Sequence, residues 1–174
     1  MKRHCCAVAM VATLAAAIAT GPATAGKATL NLVLVLDGLR PDSITEQETP
    51  HLWRLRQEGV NFLNGHAVFP TVTRANAAAI GSGVYPDHNG IFGNTLYVRQ
   101  VDPNHAFGND DHNNLLRLDA ATGGGMVLAK SFAEILTERG KTLAVVSSGT
   151  TGSALLVNPR APKGVGVLIN AYWE

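Results

Sequence analysis

With 174 residues, 46% of them hydrophobic and 16% charged, the chain is long enough for one globular domain and too apolar for a disordered one. Its formal net charge is +1, and setting aside Lys2 and Arg3 leaves 12 basic against 13 acidic residues, or −1. With the basic residues scattered as well, that balance excludes an electrostatic case for binding nucleic acid or an anionic membrane.

Residues 1–25 read as a secretory signal peptide. Lys2 and Arg3 form its charged start, Cys5 to Ala19 its apolar run, and Ala23-Thr24-Ala25 a small-residue cleavage site. The apolar run is short for a bilayer span, so no stable membrane anchor is expected after cleavage. Both cysteines, Cys5 and Cys6, lie inside it. The mature chain would therefore have no thiols, which removes disulfides, thiolate metal sites and cysteine nucleophiles together. An exported product, periplasmic or secreted, is expected.

The remaining elements follow in order. Leu30 to Leu36, "LNLVLVL", is a short apolar run bounded by Asp37-Gly38, as for a strand buried on both faces. Thr49 to Gly59 predicts a helix, with Thr49 as N-cap, Pro50 at the first position, Leu52 and Leu55 inward, and Gly59 as the stop. Val60 to Phe69 predicts a second extended segment. Ala75 to Ser82 reads as a small-residue helix stopped by Gly83 and Pro86. Val98 to Gly125 is polar and glycine-rich without a clear period and reads as loop. Val127 to Arg139 predicts an amphipathic helix ended by Gly140. A strand follows at Thr142 to Ser147, and "VGVLIN" from Val165 is strand-like. This alternation is the grammar of an α/β fold of packed layers.

Three residues invite chemistry. Asp37 lies one residue past an apolar strand, where open parallel sheets bind ligands. It is either a turn aspartate ahead of Gly38 or a hard oxygen ligand for a divalent metal. Thr73 lies at the mouth of the Ala75 helix, where free backbone N–H groups and the helix dipole favour an anion. It is either a simple N-cap or a nucleophile, and a nucleophilic threonine needs an adjacent base or a metal. Thr71 is the weaker of the two threonines, because it directly follows Pro70 and precedes the helix mouth. Asn94, in "GIFGN", is either a turn asparagine or a hydrogen-bond donor to an oxyanion.

Taken in order, "LVLVLDGLRPD", "TPHLWRLRQEGVNF", "FPTVTRANAAAIGSGVYPDHNGIFGN" and "TLYV" resemble the type I phosphodiesterase/nucleotide pyrophosphatase family of the alkaline phosphatase superfamily. The resemblance covers Leu30 to Val98 well and continues more loosely through Val127 to Ser147. It implies the amino-terminal portion of an alkaline-phosphatase-like fold, with a mostly parallel central sheet flanked by helices, over residues 26–174. It also implies two Zn2+ ions. Asp37 falls on a ligand of one of them, Thr73 on the nucleophile which that zinc activates, and Asn94 on the residue that steadies a non-bridging phosphate oxygen. The implied activity is zinc-dependent hydrolysis of a small phosphodiester or nucleotide pyrophosphate through a phospho-threonine. Arg74 stands where many relatives carry an aromatic residue. Asn89, beside His88, stands where relatives carry histidine in an "HGI" turn, and neither is assigned to metal.

The family's remaining zinc ligands are aspartates and histidines well downstream of the nucleophile. After Asn94 this chain offers Asp102, His105, Asp110, Asp111, His112 and Asp119, all in the segment read as loop, and none at the expected spacing. The adjacent pair Asp111-His112 reads as solvated. Only a partial metal site is therefore expected, and with it a truncated product that is weakly active or inactive. A phosphonate or phosphomonoester hydrolase of the same superfamily, or a catalytically dead exported fragment or binding module, fits the same residues. A sulfatase does not, since no C/S-x-P-x-R motif is present. Gly140-Lys141-Thr142 is not a phosphate loop, having Ile135 where glycine is required, and Gly81-Ser82-Gly83 is not a nucleophile elbow.

Overall fold

A computed structural model describes residues 30–173, so the expected signal peptide lies outside the described residues. The chain divides into two compact units between Leu36 and Asp37. Within the first, Leu30–Leu36 is not the buried strand expected. Its side chains are exposed, from 45% at Leu36 to 83% at Leu32, and no described strand pairs with it. An apolar run becomes a buried strand only where neighbours supply ladder partners and cover.

The second unit is mixed α/β. Helix α1 (Pro50–Glu58) forms where expected and ends at Gly59. Thr49 precedes it without capping it, because its hydroxyl donates to the Ser43 and Thr45 carbonyls at 3.4 and 3.3 Å. Leu52 and Leu55 do not face a core: Leu55 is 66% exposed and no residue of α1 is buried. Residues 60–69 contain a turn rather than a strand, and Val60, Phe62 and Leu63 are exposed. Both departures have one cause, since apolar side chains stay solvated where no partner surface meets them.

Helix α2 (Thr73–Ser82) starts at Thr73, earlier than Ala75, and ends at Gly83; a short α3 (Pro86–Asn89) follows. The segment read as loop contains two elements, a strand and a helix. Strand β1 (Thr95–Leu96) pairs antiparallel with β2 (Phe107–Gly108). Helix α4 (His112–Ala121) is capped by the Asp111 side chain, which accepts the Asn113 N–H at 2.9 Å. Leu115 and Leu118, three apart, are its buried face. The helix expected from Val127 shrinks to α5 (Phe132–Thr137), because Ser131 caps it there and the preceding residues are irregular. Strands β3 (Ala144–Ser147) and β4 (Val167–Asn170) form where expected and pair parallel, Ala144 opposite Val167. Helix α6 (Thr151–Val157), missed from sequence, supplies the crossover between them. Among the described residues the sheets are thus two separate pairs rather than one broad parallel sheet. No described helix is long and apolar enough to cross a membrane.

The core gathers Ala77 and Ala78 of α2, Ile91, Leu115 and Leu118 of α4, and Leu155 and Leu156 of α6. The α2–α6 contact is close because Gly81 has no side chain: a Cβ there would lie 2.5 Å from the Leu156 and Val157 carbonyl oxygens. Gly152 does the same at the other end of α6, where a Cβ would collide with the Asn109 carbonyl. Its N–H donates to the Asp110 carbonyl at 2.7 Å.

A charged cluster ties α4, α5 and the chain after α6. Arg160 reaches Asp119 at 3.5 Å and Glu134 at 3.3 Å, and Lys163 reaches Asp119 at 2.6 Å. Glu134 also completes a capping box, accepting from the Ser131 N–H at 2.8 Å and hydroxyl at 2.7 Å. Partial burial works against its ionised form, but Ser131 and then Arg160 outweigh it and hold the carboxyl below its ordinary 4.5.

Two outcomes follow. Gly81→Ala is expected to lower stability by about 1–3 kcal/mol in denaturant titration, since the added methyl meets backbone that cannot swing away. Folding favours the ionised Glu134, so its contribution is full above pH 4.5 and fades as the pH falls through the lower folded value. Glu134→Gln should flatten that part of the stability–pH curve.

Candidate active site

The turn after residue 36 and the first turn of α2 bring Asp37 and Thr73 together. The Thr73 hydroxyl donates to Asp37 Oδ2 at 3.0 Å, and both residues are exposed. Gly38 takes a positive φ of 78°, which a side chain there would strain, so the turn can follow Asp37 directly. Thr73 is the first residue of α2, and Val72 before it offers no side-chain acceptor. The first-turn N–H groups are therefore left for other partners. One finds Asn94: the Arg74 N–H donates to Asn94 Oδ1 at 3.2 Å. That uses the acceptor end of the amide and leaves its Nδ2 donor unengaged by any described residue. All three residues singled out from sequence thus meet at one helix start.

Sequence reasoning missed Asn76, which shapes the approach to Thr73. Its Oδ1 accepts the Val68 N–H at 3.0 Å, and its Nδ2 donates to the Val72 carbonyl at 3.0 Å. The same amide lies 3.4 Å from the Val68 and Pro70 carbonyls. The entry loop, whose Phe69–Pro70 bond is cis, is thereby folded back onto the helix. The signal was present in "TRAN": an asparagine in a first turn can bond the chain before the helix.

The downstream acids and histidines have other partners. Asp110 Oδ2 pairs with the Arg74 guanidinium at 3.7 Å. Asp111 caps α4, and His112 is not solvated as its neighbours suggested. Its ring stacks on Trp173 with centroids 4.3 Å apart and meets Thr151 Oγ1 at 3.1 Å, because α6 and the last residues close over it. The Asn104 and then the His105 backbone N–H hold the half-buried Asp102 carboxyl below its ordinary range. Asp119 belongs to the Arg160–Lys163 cluster. Asn89 is buried, donating to the Val84 carbonyl at 3.1 Å and accepting the Ile91 N–H at 2.8 Å. An open cleft of about 590 Å3, lined by Asp110, His112, Thr151 and Tyr172 among others, lies beyond the carboxyl end of β3. Thr73 does not line it.

The donor chemistry at Asp37 and Thr73 suits a hard divalent cation in kind but not in number. Among the described residues, no three His, Asp, Glu or Cys side chains come together. A zinc site ordinarily takes three or four protein ligands. One carboxylate and one hydroxyl do not complete such a site.

A family model for type I phosphodiesterase / nucleotide pyrophosphatase matches residues 31–161, which include Asp37, Thr73 and Asn94. The chain belongs to this family. Among curated proteins, it is similar to the bis(5'-adenosyl)-triphosphatase ENPP4 of Homo sapiens and of Pongo abelii, each 36% identical over 66 residues. The mouse ENPP4 is 35% identical over the same length. These matches cover 38% of this chain, and the chain spans only 14–15% of the length of these relatives. No solved structure matches the chain significantly.

Removing the Asn76 clamp should loosen this family segment at its entry. Asn76→Ala leaves the Val68 N–H without its partner and strips the side-chain bond from the Val72 carbonyl, which keeps the residue 76 N–H, and is expected to cost about 1–3 kcal/mol in denaturant midpoint analysis.

Proposed function

We propose that this chain carries the nucleophile half of a phosphodiester or pyrophosphate hydrolase. Thr73 Oγ loses its proton to solvent and attacks phosphorus, the bond to the leaving oxygen breaks and that oxygen takes up a proton from solvent, and water then cleaves the phospho-threonine to release the phosphoryl product and regenerate the hydroxyl. The observation that carries this reading is the Thr73–Asp37 hydrogen bond at 3.0 Å, made at a helix start inside the matched segment. Asp37 orients the hydroxyl. The first turn of α2 adds the positive end of a helix dipole where negative charge would develop. Asn94, with its acceptor committed to the Arg74 N–H, is left to donate to a non-bridging oxygen. A bound zinc, held in part by Asp37 and Thr73, would supply what this set lacks, a lower hydroxyl pKa and charge neutralisation. The substrate is a small phosphodiester or nucleotide, and the charged-then-apolar residues 2–19 support an exported protein.

A binding module that keeps this half-site without turnover is the competing reading, favoured by the short donor count. Calorimetric titration separates the two, since a chain that takes up no zinc at micromolar concentration belongs to the second.

With zinc and a chromogenic phosphodiester, release of the coloured alcohol should be slow in the parent chain and fall to background in Thr73→Ala. Thr73→Ser should retain it. Undiminished release from Thr73→Ala would overturn the nucleophile assignment.

A further inference from the structure

Arg74 closes a ring of contacts around Asn94. Its backbone N–H donates to Asn94 Oδ1 at 3.2 Å. The Asn94 carbonyl in turn accepts the Asn109 N–H at 3.2 Å. The next residue, Asp110, returns to Arg74 through the ion pair at 3.7 Å. Asn94 is thus held by its side chain from α2 and by its backbone from the residue before Asp110. The Arg74–Asp110 pair is the link that joins the two holds.

The surroundings make that link a built one. The Arg74 side chain keeps only 16% of its exposure, and its Nε is buried with no described partner. A buried guanidinium is unfavourable unless a charge faces it. Asp110 is itself anchored, since its carbonyl accepts the Gly152 N–H at 2.7 Å and the Thr151 hydroxyl at 3.4 Å. Gly108 has no side chain where a Cβ would run into the Asp110 carboxylate.

We propose that Arg74, through its ion pair with Asp110, is a positioning residue that holds the Asn94 amide with Oδ1 on α2 and Nδ2 available to an anion beside Thr73. The amide is planar, so fixing its acceptor on the helix decides where its donor can point. Without the strut, the first turn of α2 and the Asn94 segment are free to shift, and the amide can turn over. The use of Nδ2 by a phosphate rests on the proposed function, but the orientation of the amide does not.

The test reads orientation directly on the full, 15N-labelled chain. The Asn94 side-chain resonances are assigned by their loss in Asn94→Asp. In both Arg74→Met and Asp110→Asn they should shift by more than a linewidth. Hydrogen exchange at the residue 74 amide should quicken roughly three- to tenfold, as for loss of one net hydrogen bond. The double variant should go no further than either single one, and Arg74→Lys should restore the parental positions in part. Should Arg74→Met fail to fold, the near-isosteric Asp110→Asn decides alone. Parental Asn94 resonances and parental exchange in a folded Asp110→Asn overturn the proposal, as do effects that simply add in the double variant. Retained hydrolysis in Thr73→Ala with shifted Asn94 resonances would remove the nucleophile and leave the strut standing.

Discussion

The close approach of α6 to its two neighbours is the constraint on which the second unit depends. Gly81 lets α2 press against the carbonyls of Leu156 and Val157, and Gly152 lets α6 press against the Asn109–Asp110 backbone. Both contacts are backbone against backbone, so neither side can yield by changing a rotamer. Between them, α6 sets the distance from α2 to the Asp110 peptide. Leu155 and Leu156, both fully buried, then fill the space that the glycines define.

From that spacing the candidate site follows. Asp110 arrives where it can face Arg74, and Asn109 where it can bond the Asn94 carbonyl. Asn94 in turn caps the first turn of α2, a role the local sequence cannot fill because Val72 sits at the cap position. An asparagine distant in sequence thus serves as the cap, and its donor end has no partner among the described residues. The same helix start presents the Thr73 hydroxyl to Asp37. Packing of the interior and geometry of the site are one problem here, solved by small residues at two crossings.

The acids and histidines after Asn94 show how partners change the meaning of a residue. Asp111 caps a helix, Asp102 gathers backbone N–H groups, Asp119 faces Arg160 and Lys163, and His112 stacks on Trp173. By composition each was an eligible metal ligand. In the fold each has a neighbour that claims it. Asp37 and Thr73 are, by contrast, exposed and hydrogen-bonded to each other.

The order of residues alone was enough to single out Asp37, Thr73 and Asn94, since proline, threonine and small helix formers in succession mark a helix mouth wherever they occur. It was enough too for α1, β3 and β4, whose Pro50 start, Gly59 stop and β-branched residues act locally. Where an outcome depended on a distant surface, it was not. Leu30–Leu36 and Val60–Phe69 carry apolar side chains, and nothing local says whether a partner will cover them. Helices α4 and α6 are short, and their buried faces make sense only against each other and α2. Asn76 looked like an ordinary helix residue and Arg74 only like a departure from its relatives' aromatic residue, because their roles lie in bonds to Val68 and Asp110. Local preferences chose the chemical groups; only burial and long-range pairing decided which of them would meet.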